Sequence, residues 1–240
     1  MRVYARTDVG KLRSINEDAF YLPREGECFC AIADGMGGHN AGEVASAMAV
    51  EVFAEAVRGS GAPGGMAMHR AVERANAAVH ARSLEAEQWA GMGTTFTALS
   101  LCGNDIHIAH VGDSRAYLLR NGTIMRLTMD HTLVEEMVLK GLITAREAKY
   151  HPKRNYITRA LGTAERVEVD LIQIERLRGD VLFLCTDGLS NHVEEKKILE
   201  ISRRDCDWEE KLRAVVDAAL EDGGTDNITA MYAVFEEAPE

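Results

Sequence analysis

Three apolar runs in this chain end in the same way, and that ending constrains the fold more than any other feature. CAIA runs into Asp34, HIAHVG into Asp113 and VLFLCT into Asp187. Short apolar runs bounded by turn residues read as buried strands, so each aspartate stands at the exit of a strand. Two further acids flank strands: Asp226 follows Gly223-Gly224-Thr225 just ahead of NITAMYAVF, and Asp18 closes RSINED just ahead of AFYL. Taken singly, Asp34-Gly35 and Asp187-Gly188 are ordinary turn chemistry. Taken together, strands lying side by side bring several carboxylates to a common end. Like charges gathered there resist ionising unless cations sit between them. Oxygen-only donors suit hard ions such as Mg2+ or Mn2+, and no pair of histidines has the spacing of a zinc site.

Such a cluster has a definite chemistry. Two divalent ions a few ångströms apart hold one water between them, lower its pKa from about 16 towards about 7, and clamp phosphate oxygens for in-line attack. No side-chain nucleophile is then needed. An arginine whose fork matches phosphate oxygens would complete the site, and Arg13 stands five residues before Asp18. The strand, glycine loop and helix around Asp34 also invite comparison with a dinucleotide fingerprint. Gly35-Met36-Gly37 supplies G-x-G, but Asn40 takes the last glycine position and Asp34 would aim a negative charge at the pyrophosphate. The later hairpins do not continue a parallel pattern, and no Walker-type lysine motif is present.

The chain has 240 residues, 46% of them hydrophobic, and four prolines, which suits one large domain without long disordered linkers. No apolar run reaches the length of a membrane span and MRVYARTDVG is no secretory signal, so a cytoplasmic protein is expected. Five cysteines in apolar surroundings, Cys28, Cys30, Cys102, Cys185 and Cys206, read as reduced core thiols. A net charge of −11 argues against a nucleic-acid binder. Helices are expected over 41–57, 65–88, 131–150 with a break at Gly141, and 193–221. TTFTALSLC, DIHIAHVG, RAYLLR and TIMRLT, with turns at Gly103-Asn104 and Asn121-Gly122, read as one antiparallel meander over 94–127. VEVDLIQIE, DVLFLCTD and NITAMYAVF are further strands. Strands interrupted by helix pairs imply an α+β fold in which helices cover sheets.

In order along the chain, RSINEDAF (13–20), ADGMGGH (33–39), GMGTTFTAL (91–99), HVGDSRAYLL (110–119), CTDGLS (185–190) and GGTDNIT (223–229) resemble the metal-dependent protein phosphatases of type 2C, the PPM family. Residues 130–162 look like the linking and flap region of bacterial members. The resemblance implies a four-layer α-β-β-α sandwich of two largely antiparallel sheets flanked by helix pairs. It implies one catalytic domain over 1–240 with a flap at about 131–160, two core Mn2+ or Mg2+ ions, and a weaker third. Asp34 would bridge the ions, the Gly35 carbonyl would bind one, and Asp187 and Asp226 would hold the other. Asp18 would bind directly or through water. Glu17 and Asn227 stand beside the ligands as direct or supporting groups, Asp113 would serve the third ion, and Arg13 would bind the substrate phosphate. Some members carry a histidine directly after the Asp-Gly pair to protonate the leaving group. Here Met36 takes that place, and His39, three residues on, either takes the role or is a helix-start residue bonded to its own loop.

The implied reaction is hydrolysis of phosphoserine and phosphothreonine on proteins by metal-bound hydroxide, with a serine/threonine kinase as the opposing partner. A monomer is expected by default, for lack of an evident apolar partner face. Lys153, Arg154 and Arg159, in HPKRNYITR, either attract phosphorylated protein or form a solvated loop. Two other function classes compete. A catalytically silent phosphoprotein-binding module would have lost ligands, and none is obviously lost. A two-metal nuclease fits neither the acidity nor the lack of interleaved aromatic and basic residues.

Overall fold

Alternation along the strands decides the layering. A computed structural model of the chain describes residues 1–37, 41–59 and 63–235. In β10 (Val181–Cys185) the side chains of Val181, Phe183 and Cys185 enter one apolar cluster, while Leu182 and Leu184 enter another on the opposite face. β11 (Ile228–Val234) repeats the pattern, with Ile228, Ala230 and Tyr232 on the first face and Met231 and Ala233 on the second. In β3 (Phe29–Met36), Phe29, Ala31 and Ala33 face a third cluster, and Cys30 and Ile32 share the one that receives Leu182 and Leu184. A strand buried on both faces reads as an unbroken apolar run, which is how these strands appear in the sequence.

The strands form two antiparallel sheets. One runs in the order β1 (Arg2–Asp8), β11, β10, β7 (Arg115–Arg120) and β8 (Thr123–Arg126). The other runs β2 (Asp18–Tyr21), β3, β5 (Phe96–Cys102), β6 (Asp105–Val111) and β9 (Asp170–Glu175), with the short β4 (Gly93–Thr94) paired to the end of β3. Leu99, Ile106 and Ile108 of the second sheet meet Ala116, Leu118, Leu182, Leu184 and Met231 of the first in the dry layer between them. Two helices, α1 (Ala41–Arg58) and α2 (Gly65–Ser83), cover the outer face of the second sheet. Ala41, Ala45, Ala49 and Phe53 recur at helical spacing on the buried stripe of α1. Between β8 and β9 the chain forms α3 (Leu133–Leu139) and α4 (Ala145–Tyr150), a pair closed at its base where Thr132 bridges Ile157. The outer face of the first sheet carries α5 (Asp187–Ser190), α6 (Glu195–Ser202) and α7 (Trp208–Glu221). The result is the α-β-β-α sandwich that the resemblance implied.

Several local expectations change. The meander over 94–127 divides: β5 and β6 pair in one sheet, β7 and β8 in the other. The chain changes sheets at Gly112, whose φ of 108° is open to glycine alone and where an added Cβ would lie 2.6 Å from Thr95. The hairpin signals themselves hold, since Asn121 and Gly122 both have positive φ, 52° and 72°. The second helix stops at Ser83 and is followed only by a 3-10 turn at Glu87–Trp89, instead of running to residue 88. The helix expected over 193–221 is two helices, because the Asp207 carboxylate accepts from the Glu210 amide at 2.7 Å and starts α7 afresh. The half-exposed strand β1 was not foreseen. All five cysteines are free, with Cys30 and Cys185 buried and Cys28, Cys102 and Cys206 partly exposed. Burial pushes the Cys30 and Cys185 thiols up to about 12, which makes them inert packing groups.

Replacing Leu184, fully buried between the sheets, by alanine should lower the unfolding free energy by about 2–5 kcal/mol. Urea titration checks this. A loss under about 1 kcal/mol would mean that the layer is not close-packed.

Candidate metal centre

Register brings the first two acids together. In the β2–β3 pairing Asp18 lies directly opposite Asp34. Directly paired residues share a face with Cβ atoms about 5 Å apart, and like charges there are destabilising. The other sheet delivers its acids to the same end. Asp187 is the first residue of α5, just past β10, and Asp226 lies two residues before β11. The two sheets are stitched across this point: Thr186 and Thr229 donate their hydroxyls to Asp18 Oδ2 at 2.9 and 2.6 Å, and Thr7 backs Thr229 at 2.8 Å. Among the described residues Asp18 Oδ1 is buried without a hydrogen-bond partner, and so is Asp113 Oδ1.

Backbone approach is close here. A Cβ on Gly35 would lie 2.1 Å from the Gly42 carbonyl oxygen and 2.6 Å from that of Glu17. One on Gly188 would lie 2.0 Å from the Asn227 carbonyl oxygen. Glycine is therefore required at both Asp-Gly pairs for contact, independently of turn preference. The Gly35 amide donates to Glu17 O at 3.0 Å, and the Asp34 carbonyl is taken by the Thr95 amide at 2.8 Å.

Electrostatics follow from crowding. Burial pushes Asp18 up to about 7, and Asp187 and Asp226 add repulsion against the two threonine hydrogen bonds. Burial raises Asp34 well above the carboxylate range, reinforced by Asp18, Asp187, Asp113 and Asp226. Asp113 is pushed to about 8, first by burial and then by Asp187 and Asp130. Asp187 is raised by burial and by Asp226, although Asn191 donates to its Oδ2 at 3.1 Å. Each acid is held ready to ionise only against added positive charge.

That charge comes partly from Arg13, whose Nη2 donates to Asp226 Oδ2 at 2.9 Å while the side chain stays 49% exposed. Asp226 Oδ1 accepts from the Asn227 amide at 2.9 Å. Asn227 is a tie: its Oδ1 accepts from the Glu17 amide at 2.8 Å, and its Nδ2 donates to Val9 O and Ile15 O, both at 2.9 Å. It thereby pins the loop that carries Arg13 against the Asp226 turn. Burial raises the Glu17 carboxyl, but Arg13 and the Gly42 amide at the start of α1 favour its charged form. It serves the helix end as well as the acidic cluster. His39 lies outside the described residues.

A second layer was not assigned from sequence. His131 Nδ1 accepts from the Gly112 amide at 3.0 Å, so its Nε2 carries the hydrogen and donates to Asp170 at 3.1 Å. This fixes the backbone just ahead of Asp113, and Thr95 and Ser114 hydroxyls, 2.8 Å apart, brace the other side. Arg159, read from sequence as a group for attracting phosphoprotein or a solvated one, is instead bound to Asp170 at 2.7 Å and Glu168 at 3.1 Å. Thr95, Thr186 and Thr229 lie inside the motifs already recognised, and that is the signal that could have found them.

These residues fit hard divalent cations. The donors are all oxygen, two buried carboxylate oxygens lack partners, and the acids repel one another. Among the described residues no group of three His, Cys, Asp or Glu side chains is placed to hold a metal ion by itself, so backbone carbonyls and water would have to complete any coordination.

Residues 12–231 match the family model described as protein phosphatase 2C. The serine/threonine protein phosphatase PstP of Mycobacterium tuberculosis is 41% identical over 236 residues, covering 97% of this chain and 45% of PstP, so the chain spans about half the length of that relative. The serine/threonine phosphatase stp of Listeria monocytogenes is 37% identical, over 96% of this chain and 94% of its own length. The crystal structure of the PstP catalytic domain in complex with two manganese ions superposes with a TM-score of 0.85 at 39% identity, covering 96% of each chain.

The raised acids set a pH dependence. Asp18 and Asp113, at about 7 and about 8 in the fold, bind protons more tightly than an unfolded aspartate at ~3.9. Between these values the native state holds more protons than the unfolded one, so stability falls as pH rises. Chelated protein should lose Tm from about pH 5.5 to about pH 8, and Mn2+ should restore more at the higher pH. Differential scanning fluorimetry reads both; a Tm that climbs over this window in chelator would contradict the placement of the acids.

Proposed function

The chain belongs to the protein phosphatase 2C family, and from that premise we propose that it is a serine/threonine protein phosphatase that hydrolyses phosphoserine and phosphothreonine on proteins. The observation that carries the reading is the facing pair Asp18 and Asp34, joined from the other sheet by Asp187 and Asp226, with a buried carboxylate oxygen left over. Asp34, the Gly35 carbonyl, Asp187 and Asp226 would hold two Mn2+ or Mg2+ ions, Asp18 would assist directly or through water, and Asp113 would serve a weaker third. Bound there, such ions supply a water acidified to near neutrality and neutralise the charge of phosphate oxygens.

The chain's own residues do the rest. Arg13 is exposed enough to turn its free N–H groups to a phosphate while remaining beside Asp226. Asn227 and Glu17 hold the Arg13 loop in register with the ligands. Thr186, Thr229 and Asn191 fix carboxylate rotamers, so the cluster does not reorganise during the reaction. The domain reading is a single catalytic domain over 1–240 with a flap at about 131–160, stapled at Thr132 and Ile157. The proposed setting is a monomer in the cytoplasm acting against a serine/threonine kinase. No helix among the described residues is long and apolar enough to cross a membrane.

With Mn2+ the protein should hydrolyse a phosphothreonine peptide, and a chelator should abolish turnover. Asp187→Asn should lose on the order of 100-fold or more in kcat/KM. Arg13→Ala should raise KM about tenfold or more by removing a charge-assisted hydrogen bond. Activity should rise through neutral to alkaline pH at constant metal occupancy. Chelator-resistant turnover, or an undiminished Asp187→Asn enzyme, would overturn the assignment.

A further inference from the structure

Asn191 and His192, consecutive residues just past α5, reach in two directions. Asn191 donates back to the Asp187 carboxylate at 3.1 Å. His192 reaches across to the loop after α7, with Nδ1 3.0 Å from Asp222 Oδ2 and Nε2 2.9 Å from Thr225 Oγ1. The Thr225 amide also points at Nε2, at 3.4 Å. An amide can only donate and a carboxylate can only accept, so Nδ1 carries the hydrogen and Nε2 receives. The ring is thus a directed relay from Thr225 through His192 to Asp222. It is 11% exposed, and a Cβ on Gly223 would lie 3.4 Å from its Cε1, so the turn is wrapped on the imidazole. Gly223 and Gly224 take φ of 136° and 55°, a conformation with little intrinsic rigidity. Asp226 follows Thr225 directly. The backbone of the turn is tied to α7 and to the N-terminal loop, by Gly224 N to Ala219 O at 3.0 Å and Lys11 N to Gly224 O at 2.7 Å, and His192 adds a side-chain link from this turn to the segment that carries Asp187.

We propose that His192 is a positioning residue for the acidic centre: by bridging Asp222 and Thr225 it clamps the Asp226 turn to the segment that carries Asp187, and so sets how tightly that pair holds a divalent cation. The inference rests on the reading of Asp187 and Asp226 as metal ligands. Its partners form no part of the family motif ligands, and the clamp acts through geometry, leaving His192 itself away from substrate.

The test is Mn2+ binding to chelated, folded protein, read by calorimetry, with thermal unfolding in chelator as the control. His192→Ala should weaken Mn2+ on the order of tenfold while Tm in chelator moves by only a few degrees. Thr225→Val, which removes the hydroxyl donor at nearly constant shape, should weaken it similarly. The double variant should be no weaker than either single one, because both remove the same link. His192→Gln, whose amide oxygen can still accept from Thr225, should recover part of the affinity. Mn2+ affinity within about twofold of wild type in both single variants, or losses that add in the double variant, would overturn the clamp while leaving the phosphatase reading intact. Failure of the wild-type protein to bind Mn2+ would overturn both.

Discussion

Two carboxylates placed opposite each other on neighbouring strands repel, and the rest of this molecule is arranged round that repulsion. Asp18 faces Asp34 across the β2–β3 ladder, and two more acids arrive from a different sheet. No compact chain gathers such a cluster for stability, since each buried carboxylate costs desolvation and each neighbour adds to it. The arrangement makes sense as a socket for positive charge. Among the described residues, Asp18 and Asp113 each keep a buried carboxylate oxygen without a hydrogen-bond partner.

The sandwich is the device that produces the socket. Neither sheet alone carries enough acids: the second sheet brings Asp18, Asp34 and Asp113, the first brings Asp187 and Asp226. Their relative position depends on the dry layer between the sheets, where Leu99, Ile108, Leu182, Leu184 and Met231 meet, and on hydroxyl links from Thr186 and Thr229 to Asp18. Packing sets the coarse approach of the sheets. The hydrogen bonds set the fine placement of the oxygens, which is where a site needs tolerances of about 0.5 Å. Lacking a Cβ, Gly35 lets its turn pack on the backbone of Gly42 and Glu17, and Gly188 lets its turn pack on that of Asn227.

Much of this was legible in the sequence. The strands that carry the acids are short, apolar and followed by turn residues, so Asp34, Asp113 and Asp187 announce themselves. What was not legible is long-range. Thr186 and Thr229 find Asp18 across 168 and 211 residues, and no local pattern encodes that meeting. The meander over 94–127 split at Gly112, because the hairpin signals at Gly103-Asn104 and Asn121-Gly122 describe turns and not the sheets that receive them. β1 escaped notice because Arg2–Asp8 is a half-exposed edge strand with charges on its open positions. Arg159 looked like a free cation in a basic run, yet Asp170 and Glu168 neutralise it. Charge in a sequence carries no label for its partner.

The central claim is that these aspartates share hard cations. Anomalous scattering from crystals soaked in Mn2+ tests it most directly. The account predicts two strong peaks at this end of the sandwich, with a carboxylate oxygen of Asp34 in contact with both and Asp187 and Asp226 on one of them. Peaks located elsewhere, or none beside Asp34 at saturating Mn2+, would contradict it.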